Sequence, residues 1–466
     1  MVFSEPVFLF LFLPITLLIY YAVPFRFKNM VLFLTGLLFY SWGEPVYVLI
    51  MILSTFIDYT AGRIMARFDD NKKIRKAALI VSVVMNLSLL GVFKYSGMFI
   101  DTLNSLFSLK ITNPNLPLPI GISFFTFQSM SYTIDLYRRN IKVQKSFVKF
   151  AAFVTMFPQI VAGPIVLYEN IANELESRKI DFESISSGIS VFIAGLCKKV
   201  LIANSVGELW DTIKASDFPS MPAATAWLGI IAFTLQIYFD FSGYSDMAVG
   251  LGKMLGFNFP KNFDYPYTSA TVTEFWRRWH MTLSGWFKSY LYFPLGGSRC
   301  GKGKTIRNLL IVWFLTGMWH GADWNFILWG VYYGLILIME KFVFASVIKK
   351  LPTAVTRIYT LIAVIFGWVL FEITSPAQIA QFIGTLFGSG GAFSDAFTLN
   401  TVHNYTLTII VAAVIATGLP LKMWNRVKTK FKAAPAFTLI AEICGAAASI
   451  AFLVDASYNP FLYFNF

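Results

Sequence analysis

The sequence predicts an all-α polytopic membrane protein of about eleven or twelve transmembrane helices, with re-entrant segments and cytoplasmic surface helices. Three observations carry that expectation. The 466-residue chain is 56% hydrophobic and 14% charged with a mean hydropathy of +0.63, well beyond the apolar content of a soluble domain. Its apolar residues fall in many runs close to the length that spans a bilayer. Its formal charge of +13 is concentrated in short loops between those runs, a positive-inside pattern that explains the basic excess better than a nucleic-acid partner does. Alternating apolar and polar strands are absent, which argues against a transmembrane barrel. Cys197, Cys300 and Cys444 show neither metal spacing nor a paired framework and read as packing residues.

In chain order, the run from Pro6 to Val23 follows Glu5, lacks a basic leader and a small-residue cleavage site, and reads as a retained helix. Arg26 and Lys28 mark its C-terminal end as cytoplasmic, which puts the N-terminus outside. Runs at Met30 to Trp42 and Val46 to Gly62 form a hairpin about Gly43-Glu44-Pro45, and Arg63, Arg67, Lys72, Lys73, Arg75 and Lys76 crowd the next loop. Ala77 to Phe93 leads outward, and Leu116 to Tyr137 returns to Arg138, Arg139, Lys142, Lys145 and Lys149. Leu116 to Gln128 is rich in helix breakers, so non-helical backbone is expected there, lining a protein-buried cavity. Phe157-Pro-Gln-Ile-Val-Ala-Gly-Pro164 gives its run a re-entrant character.

Asn170 to Ser186 reads as a cytoplasmic surface helix. Gly188 to Val206 re-enters with Lys198 and Lys199, which either snorkel to an interface or attract an anionic ligand. Ala224 to Leu255 carries Asp240, Ser242, Tyr244 and Asp246, and two carboxylates in such a run demand partners. Asn262 to Trp286 lies along the cytoplasmic surface before Phe287 to Gly297 dips in. Lys302, Lys304 and Arg307 restart from the cytoplasm, and runs at Thr360 to Phe371, Thr406 to Leu421 and Phe437 to Val454 complete the set. On this map only Lys94, Lys110 and Lys214 fall near the external face, with Lys198 and Lys199 ambiguous, so the orientation is strongly biased.

The candidate catalytic segment is Thr271 to Gly330. It holds two of the chain's three histidines, His280 and His320, each directly after a tryptophan. His280 closes the basic, aromatic Phe275-Trp-Arg-Arg-Trp-His280, which suits an interface. His320 ends an uncharged run and is followed by Gly321-Ala322-Asp323, which places it within the bilayer at a helix break. An imidazole among apolar residues stays neutral and can take a proton from a hydroxyl. Acyl transfer from a thioester to an alcohol needs such a base, an oxyanion donor and a site that unites both substrates. Gly243-Tyr244-Ser245-Asp246-Met247 lacks the last glycine of a nucleophile elbow, no cysteine lies beside a histidine, and His320 with Asp323 is a weak metal signal, so no metal is expected.

The segments Val2-Phe-Ser, Phe157 to Pro164, Tyr238-Phe-Asp-Phe-Ser-Gly-Tyr-Ser-Asp246, Phe275 to His280, Tyr292-Phe-Pro-Leu-Gly-Gly297, Trp319-His-Gly321 and Tyr463-Phe-Asn-Phe466 cover nearly the whole chain in order. Together they resemble the membrane-bound O-acyltransferase superfamily, in its bacterial polysaccharide, alginate-type O-acetyltransferase branch. The resemblance implies one membrane domain over residues 1–466 around a central funnel, in the cell (cytoplasmic or inner) membrane. It implies that His320 is the family's intramembrane histidine and His280 the second, where other branches often have asparagine. It implies acetyl-CoA as donor from the cytoplasm, its phosphates suited to Arg277, Arg278 and Lys288. Arg277 and Arg278 suit lipid headgroups equally well, and Asp240 and Asp246 are expected to close a polar network that shapes the cavity.

The function so implied is O-acetylation of an exported cell-surface polysaccharide, with His320 as base and an extracytoplasmic esterase-like protein as partner. One rival is D-alanyl transfer to teichoic acid from a carrier protein. Another is a polysaccharide or acyl-group transporter without covalent chemistry, against which no inverted repeat of broken helices is evident.

Overall fold

The structure is a computed structural model describing residues 1–455 and 458–462; the closing aromatic tail, Tyr463 to Phe466, lies outside the described residues. Most of those residues are helical, with no strand among them. Among the described residues, seven helices are long and apolar enough to cross a membrane: Val48–Arg67, Lys72–Phe107, Phe182–Lys214, Ala223–Met254, Thr353–Glu372, Ala396–Ala416 and Ala434–Asp455. The sequence expectation of eleven or twelve spans counted further runs that form other helices. Phe8–Ala22 is apolar but shorter. Lys302–His320 and Trp324–Phe342 carry tryptophans, tyrosines, asparagines and Glu340 that lower their hydropathy.

The described residues divide into two compact units, Met1–Phe192 with Ser245–Pro260, and Ile193–Tyr244 with the described part of Lys261–Phe466. In the first, the fully buried Asp58 carboxylate of Val48–Arg67 accepts from Ser82 Oγ at 2.5 Å and from Asn86 Nδ2 at 2.9 Å, both on the next helix. Ser82 Oγ also lies 3.0 Å from Thr133 Oγ1 on Ile122–Tyr137, so three helices share one polar knot. Phe3, Phe8, Phe12, Phe39 and Phe157 pack ring to ring, which anchors the buried start of the chain. Non-helical backbone over 108–121 ends sooner than the sequence suggested. Pro117, Pro119 and Gly121, at φ 74°, break the helix, whereas Ile122 to Gln128 contains no breaker and is helical.

In the second unit, the helices Lys302–His320 and Trp324–Phe342 pack backbone against backbone. A Cβ on Gly317 would lie 2.3 Å from the Phe326 carbonyl oxygen, and one on Gly330 2.3 Å from that of Trp313. Only glycine admits that approach, and it sets where His320 leaves the first helix. The short helix Val272–Arg278 packs against Trp324–Phe342, and His280 sits between it and a second short helix, Met281–Phe287. Ala396–Ala416 and Ala434–Asp455 are largely exposed, their Ile, Leu, Phe and Val side chains facing outward as lipid-facing helices do. Cys444 lies on the exposed surface of the latter, so it is not the packing residue expected; Cys197 does pack, beside Gly445 and Ser449.

Gly317→Ala and Gly330→Ala should each destabilise the protein by about 1–3 kcal/mol, because backbone rather than a flexible side chain occupies the Cβ position. Thermal unfolding of detergent-solubilised protein, monitored by size-exclusion chromatography, would show the lowered midpoint; an unchanged midpoint would mean the two helices are not held as described.

Candidate active site

His320 is the last helical residue of Lys302–His320, and Gly321 turns the backbone extended, with φ −159° and ψ 161°. A Cβ at position 321 would meet the Phe326 ring at 2.1 Å, so a glycine must follow this histidine. The imidazole is 7% exposed and meets Trp329, Trp319 and Phe371 edge-on at centroid separations of 4.9, 5.0 and 5.4 Å. It borders a cavity of about 20 Å³, room for a single water-sized group, which Asp240, Trp368 and Leu462 also line.

His280 sits between the two short helices in the left-handed region, at φ 43° and ψ 55°. Such a conformation is uncommon for a residue with a Cβ and concentrates at functional sites. Its Nδ1 lies 3.1 Å from Asn262 Oδ1, which also accepts from Thr282 Oγ1 at 2.9 Å and Thr282 N at 3.3 Å. Because Thr282 donates to that oxygen, the histidine must donate to it as well. The proton therefore sits on Nδ1, and Nε2 carries a bare lone pair. Nε2 is buried and has no hydrogen-bond partner among the described residues. Burial lowers the pKa of this imidazole, which lies outside the seven candidate spans, and keeps it neutral.

His280 lines a second, far larger cavity of about 1050 Å³. Arg277, Lys288, Arg299, Lys341 and Lys349 give its wall a strongly cationic character. Glu340 also lines it, but its carboxylate accepts from Val272 N at 2.7 Å, Thr273 N at 2.8 Å and Thr273 Oγ1 at 2.5 Å. It thus caps the helix that leads to His280. Trp319 touches both histidines, its ring 5.9 Å from His280 and 5.0 Å from His320. The indole N–H groups of Trp276, on the large cavity, and Trp329, on the small one, are buried without an acceptor among the described residues. Such donors are uncommon and call for an explanation.

The sequence-predicted residues separate accordingly. Arg277 and Lys288 line the large cavity with His280; Arg278 does not, since it pairs with Glu274 at 2.6 Å and donates to Thr268 Oγ1 at 3.1 Å. Asp240 joins His320, while Asp246 falls in the first unit. Lys199 does not snorkel: 2% exposed, it pairs with Asp240 at 2.6 Å. Sequence reasoning missed Asn262 and Glu340. Asn262 was read only as the start of a surface segment; an acidic residue ending an apolar run was the available signal for Glu340. Among the described residues, no group of three or more His, Cys, Asp or Glu side chains is placed to hold a metal ion.

Residues 37–379 match the family model described as MBOAT, membrane-bound O-acyltransferase family. The chain is 36% identical to a probable alginate O-acetylase of Pseudomonas putida, with both chains covered in full. It is 31% identical to a peptidoglycan O-acetyltransferase of Helicobacter pylori, over 84% of this chain and 80% of that one. It is 27% identical to a teichoic acid D-alanyltransferase of Bacillus subtilis, over 54% of this chain and 68% of that one.

Glu340→Ala should free the first N–H groups of Val272–Arg278 and loosen the backbone up to His280. Loss of such a cap costs about 1–2 kcal/mol, so amide exchange over 272–280 should rise roughly 5–30-fold. Hydrogen–deuterium exchange with mass spectrometry reads this directly, and unchanged protection would show that Glu340 does not hold the segment.

Proposed function

The chain belongs to the membrane-bound O-acyltransferase family, and from that premise we propose that it moves acetyl from cytoplasmic acetyl-CoA across the membrane for O-acetylation of an exported cell-surface polysaccharide. That it is a multi-pass membrane acyltransferase follows from the family and the apolar helices. The finer reading rests on one observation. Two buried imidazoles flank Trp319, His280 on the wall of a large cationic cavity and His320 on the wall of a small cavity beside Asp240.

The cationic cavity suits a donor rich in phosphate, and Arg277 and Lys288 reach its wall together with Arg299, Lys341 and Lys349. His320 takes the proton of the acceptor hydroxyl as its oxygen attacks the thioester carbonyl carbon. The C–S bond then breaks, and the departing thiolate takes the proton back. His280 borders the donor side with a bare Nε2 and serves as partner to His320. The unpartnered indole N–H groups of Trp276 and Trp329 are the available donors for the oxyanion. Arg278, bound to Glu274 and Thr268, is left to hold its own helix rather than the donor.

The basic loops support a cytoplasmic-membrane orientation with the N-terminus outside. The alginate O-acetylase and peptidoglycan O-acetyltransferase relatives act by name on alginate and on peptidoglycan, which favours a polysaccharide acceptor here. An extracytoplasmic esterase-like protein fits as the partner that completes transfer. The D-alanyltransferase matches only about half of this chain, which favours acetyl over D-alanyl transfer.

His320→Ala should abolish O-acetylation of surface glycans while protein abundance and membrane insertion stay unchanged, a loss on the order of 10²–10⁴-fold for a missing general base. Mass spectrometry of those glycans would show it, and wild-type acetylation would remove His320 from the mechanism. Arg277→Gln and Lys288→Gln should each raise the KM for acetyl-CoA by about tenfold or more, the worth of one charge-assisted hydrogen bond. Purified protein that binds an acyl-carrier protein and ignores acetyl-CoA would reverse the choice of donor.

A further inference from the structure

The proposed reaction leaves one buried ion pair without a task. Lys199 lies in the π-helical stretch Lys198–Ala203, between Phe182–Cys197 and Asn204–Lys214, and π-helical turns are frequently found at functional sites. Asp240 lies on Ala223–Met254. Their side chains, 2% and 3% exposed, meet at 2.6 Å. Both also hold the backbone of one segment: Lys199 Nζ donates to the Pro460 carbonyl, and Asp240 Oδ2 accepts from Leu462 N at 2.9 Å.

The rest of that segment is tied down along the same helices. Tyr458 donates to Asp211 Oδ2 at 2.7 Å, Asn204 Nδ2 reaches Asn459 Oδ1 at 3.2 Å, and Phe461 stacks on Tyr244 at 4.5 Å between centroids. The segment ends at the site, because Leu462 and Asp240 line the same small cavity as His320. An apolar wall alone could close a cavity of that size. Burying two charges is costly unless further hydrogen bonds satisfy them, and here those bonds go to backbone groups two residues apart, which fixes the register of the segment.

We infer that Lys199 and Asp240 are positioning residues: their ion pair seats the segment Tyr458–Leu462 so that Leu462 forms a wall of the His320 cavity. The inference rests on the reading of His320 as the base, and it assigns the pair a task that general stabilisation does not. Without the pair the segment leaves its seat, the cavity opens, and the environment of the imidazole is lost while the cationic cavity keeps its donor.

The test uses the full-length protein in membranes, with Cys197, Cys300 and Cys444 replaced by alanine and Leu462→Cys introduced as a reporter for maleimide. With the pair intact, labelling should be slow. In Lys199→Met, in Asp240→Asn and in the double variant Lys199→Met/Asp240→Leu, which leaves no lone buried charge, it should rise about tenfold or more on monodisperse protein. In the otherwise native chain, Asp240→Asn should lower kcat by about tenfold or more with the KM for acetyl-CoA held within about twofold. Fast labelling in the parent, equal labelling in all variants, or a native kcat in Asp240→Asn would each overturn the inference. Transfer that survived His320→Ala would sink the base reading alone, since the labelling comparison does not depend on it.

Discussion

A polar group inside a lipid-facing fold cannot exchange a lost partner for water, so each one has to be answered by another part of the chain. That constraint accounts for the placement of several of the charged and amide side chains buried here. Asp58 is answered by Ser82 and Asn86 on the neighbouring helix. Asn325 donates to the Phe371 carbonyl at 2.8 Å and so ties the start of Trp324–Phe342 to the end of Thr353–Glu372. Glu340 is answered by the free N–H groups that open Val272–Arg278. Polar satisfaction thus works as the fold's set of cross-links, and the two histidines lie among them.

Directly against both imidazoles the chain packs aromatic rings. Trp276, Trp313, Trp329 and Tyr333 form one cluster with centroid separations of 4.8 to 6.1 Å. Trp279, Trp368 and Phe371 continue it toward His320. Rings of this size bury much apolar area at a low cost in conformational entropy and lower the local dielectric. In such surroundings any hydrogen bond aimed at developing negative charge gains strength. The tryptophans are therefore the medium in which the histidines operate.

Much of this was legible in the sequence and some could not be. The broken run at Phe157 to Pro164, the helix end at His320 and the long span carrying Asp240 all emerged at the expected places, because prolines, glycines and apolar run length act locally. Seven helices among the described residues have the length and apolar content of a span, fewer than the eleven or twelve runs read from the sequence, because polar and charged side chains lower the hydropathy of helices such as Lys302–His320 and Trp324–Phe342. Lys198 and Lys199 were indistinguishable as a doublet, and only the π-helical stretch and Asp240, some forty residues on, give Lys199 its place. Arg277 and Arg278 were equally indistinguishable. A hundred-degree step per residue around a helix separates adjacent side chains, and here one reaches the cavity and the other Glu274.

The mounting of His280 shows why no single stretch could have revealed the site. A left-handed backbone at a residue with a Cβ costs about 1–2 kcal/mol, and something must hold it there. Asn262 grips the ring through Nδ1 and, through its carbonyl, the N–H of Met281 at 2.9 Å. Glu340 fixes the start of the helix before the histidine, and the Phe241 ring packs edge-on against the imidazole at 4.8 Å. Three other segments, around Phe241, Asn262 and Glu340, thereby decide where one lone pair points. That precision serves chemistry more than stability: a base misplaced by an ångström loses most of its effect, whereas a folded helix tolerates the same shift at small cost.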